Sequence, residues 1–236
     1  MKTTFYKSED RGEADFGWFQ ARYSFSFGQY YDPQRTGFGT LRVLNDSIIQ
    51  SEQGFPEHPH ENFEIITVQF QGDLLHTDIS GTRHIRTHDV QAISAGTGVT
   101  HSDVNVSKEE ARQFQIWVEP SQFNVVPQSN IHHFEPGDWD HRWKTLVAPV
   151  GSQLAPLEIY QDAYLSRGVF SSGTAVEYTL KNAKNGVFLM VIDGTLIIDQ
   201  YTLGRRDAVG ITDTRALTFK PHTASDILLV EVPVKA

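Results

Sequence analysis

The 236-residue sequence contains no cysteine. That excludes disulfides, thiolate metal ligands and thiol nucleophiles, so histidine and carboxylate must carry any metal chemistry. No apolar run approaches the roughly 20 residues that cross a bilayer as a helix. The opening segment, with Lys2, Phe5-Tyr6 and Ser8-Glu9-Asp10, has no apolar signal core. These two absences lead to the expectation of a cytoplasmic protein with no membrane partner. Positive charge is scarce as well: 20 Lys and Arg face 29 Asp and Glu, a formal charge of −9. Binding to phosphate backbones needs a clustered surplus of Lys and Arg, and only Arg83-His84-Ile85-Arg86 and Arg205-Arg206 are grouped, so no direct nucleic-acid partner is expected. Helical periodicity is missing too, apart from one turn's worth at 108–112.

What the chain does have is short strands. Ile65 to Phe70, Leu74 to Asp78, Thr82 to Thr87, Val90 to Ser94 and Gln113 to Val118 are separated by turn residues at Gly72, Ser80-Gly81 and Gly96, the pattern of a small β-barrel or sandwich. The pattern then recurs. Val187 to Gly194 echoes Ile65 to Gly72, and Gly204 to Val209 echoes Thr87 to Val90. The reading is an all-β chain of two tandem small barrels, jelly-roll-like, split as 1–133 and 134–236, with 121–145 an irregular connector. The early aromatic segments, Phe16-Gly17-Trp18-Phe19 and Phe25 to Tyr31, read first as core packing and only second as the lining of a cavity.

Two stretches about forty residues apart carry the chemistry. In Gly54-Phe55-Pro56-Glu57-His58-Pro59-His60, an extended strand puts His58 and His60 on one face. Continued in register, the alternation would add Asn62, Glu64, Ile66, Val68 and Phe70 to that face. The second stretch, Gly96-Thr97-Gly98-Val99-Thr100-His101-Ser102-Asp103, offers a third imidazole and a carboxylate that also share a face. Three imidazoles and one carboxylate suit a divalent transition metal rather than Mg or Ca. His76 reads as a polar strand position, His84 and His88 as hairpin residues, and the adjacent His132-His133 point to opposite faces. The second barrel has no His-x-His pair, and is expected to lack metal ligands.

The same residues resemble the two motifs of cupins and, within them, the pirins. The likeness runs through Asp10-Arg11-Gly12, Phe25-Ser26-Phe27, Tyr30-Tyr31-Asp32-Pro33, Gly37-Phe38-Gly39, Leu41 to Asp46, His58-Pro59-His60, Ser94 to Gly98 and Gln115-Ile116-Trp117-Val118. It covers about the first 120 residues, and the remainder matches more loosely. The resemblance implies a bicupin whose N-terminal barrel binds one metal, iron foremost, with Mn, Ni, Cu, Co or Zn as alternatives. Its ligands would be His58, His60, His101 and an acid two residues after His101. The family pattern has Glu there and this chain has Asp103, one methylene shorter, which leaves direct binding, binding through water and no binding all open; Glu64 is the alternative carboxylate. Several bacterial pirins resemble flavonol-cleaving quercetinases. By that analogy the chain is an oxidoreductase that opens quercetin-type flavonols with O2, Asp103 acting as general base. The alternative implied by animal pirins is a non-enzymatic, metal- or redox-responsive regulator that binds a protein partner.

Overall fold

The computed structural model describes residues 1–234. Its strands make two pairs of sheets. In the first pair a seven-stranded sheet runs, in spatial order, Gln128–His133, Asp89–Ser94, Glu64–Gln71, Ala111–Val118, Leu41–Ile49, Phe19–Tyr23 and Gly12–Asp15. It is accompanied by a four-stranded sheet of Gly54–His60, Val99–Asn105, Asp73–Asp78 and Gly81–Arg86. The second pair repeats this arrangement slot for slot. Its large sheet runs Lys2–Tyr6, Ala208–Thr212, Asn185–Asp193, Ser225–Pro233, Tyr164–Phe170, Lys144–Pro149 and Leu157–Ile159, and its small one Val176–Thr179, Ala216–Pro221, Leu196–Ile198 and Tyr201–Leu203. Only the edge strand Leu157–Ile159 departs from the scheme, pairing parallel with its neighbour. The chain is therefore an all-β, two-barrel cupin fold.

The two large sheets pack against each other through the main core, and this explains the unbroken apolar runs seen in the sequence. Ile66 and Val68 point into that shared core with Phe188, Met190 and Ile192. Their neighbours point the other way: Ile65 into the first barrel, Val187, Leu189 and Val191 into the second. A strand buried on both faces cannot alternate apolar with polar residues. Each such fully buried side chain contributes about 1.5–3 kcal/mol.

Three features depart from the sequence reading. The first strand, Lys2–Tyr6, pairs antiparallel with Ala208–Thr212 of the second half, whereas a contiguous split after residue 133 puts it in the first. Only Tyr6 of that strand is buried, edge-on to Phe25 and Phe188 at 5.8 and 5.1 Å, so its alternation is too weak to reveal the exchange. The supposed irregular connector contains Gln128–His133, which closes the first large sheet against Asp89–Ser94. The turn of helix at 108–112 is absent; those residues bend into the strand Ala111–Val118. Among the described residues no helix is long and apolar enough to cross a membrane.

Candidate metal centre

The strands Gly54–His60 and Val99–Asn105 lie side by side, with His101 opposite His58 and Val99 opposite His60. Gly54 allows the approach, since a Cβ there would sit 2.1 Å from the Asp103 carbonyl oxygen. The register slips by one residue between His101 and Asp103, which pairs with Phe55, leaving an extra residue in the Pro56-Glu57 segment. Proline has no amide N–H for the ladder and is tolerated at a bulge. The freed Pro56 carbonyl accepts a 2.8 Å hydrogen bond from His58 Nδ1, which fixes the ring and leaves Nε2 for another partner. The strand that bears His101 is delivered by Gly96 at φ 46, where any Cβ would meet the Val125 carbonyl oxygen at 2.0 Å.

His58, His60 and His101 converge. Their ring centroids are 4.4 Å (His58 to His101), 4.8 Å (His58 to His60) and 5.0 Å (His60 to His101) apart, and each supplies a nitrogen within 4.8 Å of the others'. Nitrogens bound to one transition metal at about 2.0–2.1 Å lie roughly 3–3.5 Å from each other, inside the 4.8 Å that spans these nitrogens. Two further observations fit an ion. His101 is 1% exposed, and its Nε2 is buried with no hydrogen-bond partner among the described residues, a costly state for a polar atom. The pKa of His60 is lowered to about 4, by burial first and then by His101 and His58, so its imidazole stays in the neutral form that ligation requires.

Asp103 belongs to a second group, His76, His101 and Asp103. Its Oδ1 is 2.8 Å from His76 Nδ1. Its Oδ2 lies 3.0 Å from His101 Nδ1, a close contact whose angle falls short of a hydrogen bond. His76, read from sequence as a polar strand position, is fully buried and bonds through Nε2 to Asp78 Oδ2 at 2.9 Å. Arg83 completes the row, donating to Asp78 Oδ2 at 2.8 Å while anchored on the Ser129 carbonyl and hydroxyl. Cationic or protonatable groups and carboxylates therefore alternate from Arg83 through Asp78 and His76 to Asp103. Burial opposes each charge, but the partners outweigh it: the His76 pKa is raised by Asp103 and Asp78, and Asp103 is held well below the usual carboxylate range by His101 and His76. The signal available in the sequence was the i, i+2 spacing of Leu74, His76 and Asp78, which puts two polar side chains on the same face as a core leucine.

Glu64 lies elsewhere. The alternation expected to carry it onto the histidine face is broken at Asn62, whose φ of 51 is left-handed, and a new strand starts at Glu64. Glu64 is buried at the junction of the two halves, accepting a 2.6 Å hydrogen bond from Ser94 Oγ; burial raises its pKa even though Ser94 and the Tyr160 backbone pull the other way. It joins neither histidine group.

Beside the three histidines is a cavity of about 200 Å³, whose wall includes His58, His60, Asp103, Asn45, Gln113 and Trp117. Phe19, Phe27 and Phe55 separate it from an adjoining, mostly apolar hollow of about 450 Å³ that also touches Phe16 and Trp18. The early aromatic segments thus line a cavity at Phe16, Trp18, Phe19 and Phe27, while Phe25 and Phe38 are core. Trp117 packs edge-on to His60 at 4.9 Å and Phe55 contacts His58 at 6.1 Å.

Comparison with known proteins agrees along the whole chain. The pirin family model matches residues 5–118, and that of the quercetinase C-terminal cupin domain matches 145–232. A pirin-like protein of Caulobacter vibrioides is 35% identical over 221 residues, 93% of this chain and 95% of the relative. The quercetin 2,3-dioxygenase of Escherichia coli K12 is 31% identical over 229 residues, 96% of this chain and 97% of the relative. Among solved structures, the E. coli pirin YhhW in complex with nickel(II) superposes with a TM-score of 0.92 at 29% identity, covering 99% of this chain and 100% of that one. Shared residues and a shared fold over both barrels make this chain a member of the pirin family.

Proposed function

We propose that the protein is a metal-dependent dioxygenase that opens the central ring of quercetin-type flavonols. The observation that carries this reading is the convergence of three imidazoles, one with an unpartnered buried Nε2, two of which line a cavity walled by aromatic rings. The names of the E. coli dioxygenase and the nickel-bound pirin support it. In this reading His58, His60 and His101 hold one divalent transition metal, which when bound supplies Lewis acidity toward the substrate oxygen and a path for O2 chemistry.

The chain's own residues do the rest. Phe19, Phe27, Phe55 and Trp117 exclude water and hold a flat substrate against the histidines. Asp103, kept ionised by His76 and His101, stands on the cavity wall and takes the hydroxyl proton that the flavonol gives up. A carboxylate held this acidic is a weak base, so it would take a proton only from a hydroxyl that is itself made acidic. We assign Asp103 this role, with metal ligation secondary, because both its oxygens already face imidazoles. The overall change balances with O2 as oxidant: both its atoms enter the products, two ring carbon–carbon bonds break, and one carbon leaves as carbon monoxide.

The test is to load the protein separately with Fe, Mn, Ni, Cu and Co, confirm the loading by elemental analysis, add quercetin under O2, and follow the flavonol absorbance and carbon monoxide release. Loss of absorbance with release of the gas is expected; no turnover with any of the five would overturn the reading.

A further inference from the structure

The cavity wall facing the histidines has an unusual composition for a barrel interior. It comes from two neighbouring strands of the large sheet, Leu41–Ile49 and Ala111–Val118, in which Ser47 pairs with Gln113 and Asn45 with Gln115. Residues two apart share a face, so these four side chains form a polar ladder on the inner surface, extended by Trp117. All five line the cavity. Asn45, Ser47 and Gln113 are 4%, 3% and 4% exposed. Asn45 Oδ1, Gln113 Oε1 and Trp117 Nε1 are buried without a hydrogen-bond partner among the described residues.

Burying an unpaired amide or indole N–H costs about 1–3 kcal/mol, so three such atoms on one wall are expensive unless something in the cavity pairs with them. No Lys or Arg lines the cavity, and Asp103 is its sole carboxylate. That wall offers no positive charge to balance a phosphate or a carboxylate. It offers amides and a hydroxyl, which donate and accept, and an indole N–H, which donates. The matching ligand is neutral, flat and hydroxylated.

We propose that Asn45, Ser47, Gln113, Gln115 and Trp117 are specificity-determining residues that recognise the hydroxyl groups of the substrate's ring system, so that the protein selects polyhydroxylated flavonols over those bearing only the 3-hydroxyl. This rests on the dioxygenase reading for the identity of the scaffold, but not for the hydroxyl requirement itself. The inner chamber of about 200 Å³ takes one hydroxylated ring, and the aromatic hollow beyond Phe19, Phe27 and Phe55 takes the remainder by stacking. A site built to hydrogen-bond a hydroxyl strongly rejects the analogue lacking it, because its own polar groups are then stranded.

The experiment uses metal-loaded full-length protein under nitrogen, so that binding is read without turnover, and titrates it calorimetrically with quercetin and with 3-hydroxyflavone. Wild type is expected to bind quercetin at least about 100-fold more tightly, and the Gln113→Leu and Asn45→Leu variants to narrow that ratio below about 10-fold while metal stoichiometry stays at the wild-type value. Equal affinity of wild type for the two flavonols would overturn the proposal, whether or not either is cleaved. This arm needs no variant to fold. An unchanged ratio in both variants would overturn it as well. A strong preference for quercetin with no cleavage under O2 would support the ladder and overturn the dioxygenase reading, which separates the two.

Discussion

In the N-terminal barrel the strand pair Gly54–His60 and Val99–Asn105 carries His58, His60 and His101 into the interior. In the C-terminal barrel the pair in the same slot, Val176–Thr179 and Ala216–Pro221, carries Val176, Tyr178, Leu217 and Phe219. The large sheets differ in the same way. Asn45, Ser47, Gln113 and Gln115 line the first interior, whereas the matching strands give the second Phe170, Ile227 and Leu229. The second barrel does hold a fully buried carboxylate, Glu231, but it is occupied: Tyr178 Oη donates to it at 2.8 Å, the Lys181 and Asn182 amides at 2.9 Å each, and Asn185 Nδ2 at 3.2 Å. The difference that matters is thus not polar against apolar. One barrel keeps several buried polar atoms unpartnered around a cavity, whereas among the described residues of the other only Ser166 Oγ is left so, and hydrocarbon packs the rest. Identical topology supports both, because the fold fixes which positions face inward and leaves their chemistry free.

The contrast is open to direct attack. The largest effect is expected from His101→Ala, which should lower bound metal from one ion per chain to below about a tenth. Turnover should fall beyond the roughly 10–100-fold that loss of an outer partner costs. Elemental analysis after gel filtration decides it, and full retention of metal would move the site elsewhere, the second barrel included. Next, Glu231→Leu should strand the Tyr178 hydroxyl and two backbone amides, costing about 3 kcal/mol in chemical denaturation with metal content unchanged. A loss of metal there would show that the barrels are not chemically independent. His76→Ala removes the link between Asp103 and Asp78, and should weaken metal binding roughly tenfold in competition with a chelator, without lowering the stoichiometry at saturation.

The smallest effect concerns pH. His60 has a folded pKa of about 4, below its ordinary value of 6.5, so between these values the unfolded chain binds more protons and stability falls as pH falls. Metal-free wild type should therefore lose stability more steeply from pH 6.5 to 4 than the His60→Gln variant does. Parallel unfolding curves for the two would place His60 in a solvated setting and weaken the case for a buried imidazole cluster.

Much of this architecture was legible in the sequence because strand signals are local. The runs Ile65 to Phe70 and Val187 to Ile192 announced the paired central strands, and their recurrence announced the duplication. The His58-Pro59-His60 spacing placed two rings on one face. Reading beyond His60 failed for an equally local reason that spacing does not show: Asn62 adopts a left-handed conformation and resets the register, so Glu64 faces the junction of the halves. His76 was passed over because its importance depends on Asp103, Asp78 and Arg83, which come from three different strands or turns.

By itself, then, the sequence determined the all-β duplication, the absence of thiol chemistry and the identity of the three imidazoles, since each depends on residue type and short-range period. Only the tertiary structure decided which carboxylate stands beside them, that the first strand is lent to the second barrel, and that four neutral polar side chains share a cavity with His58 and His60. Those outcomes depend on register between strands distant in sequence, where a single bulge at Pro56 shifts the pairing and no local pattern records it.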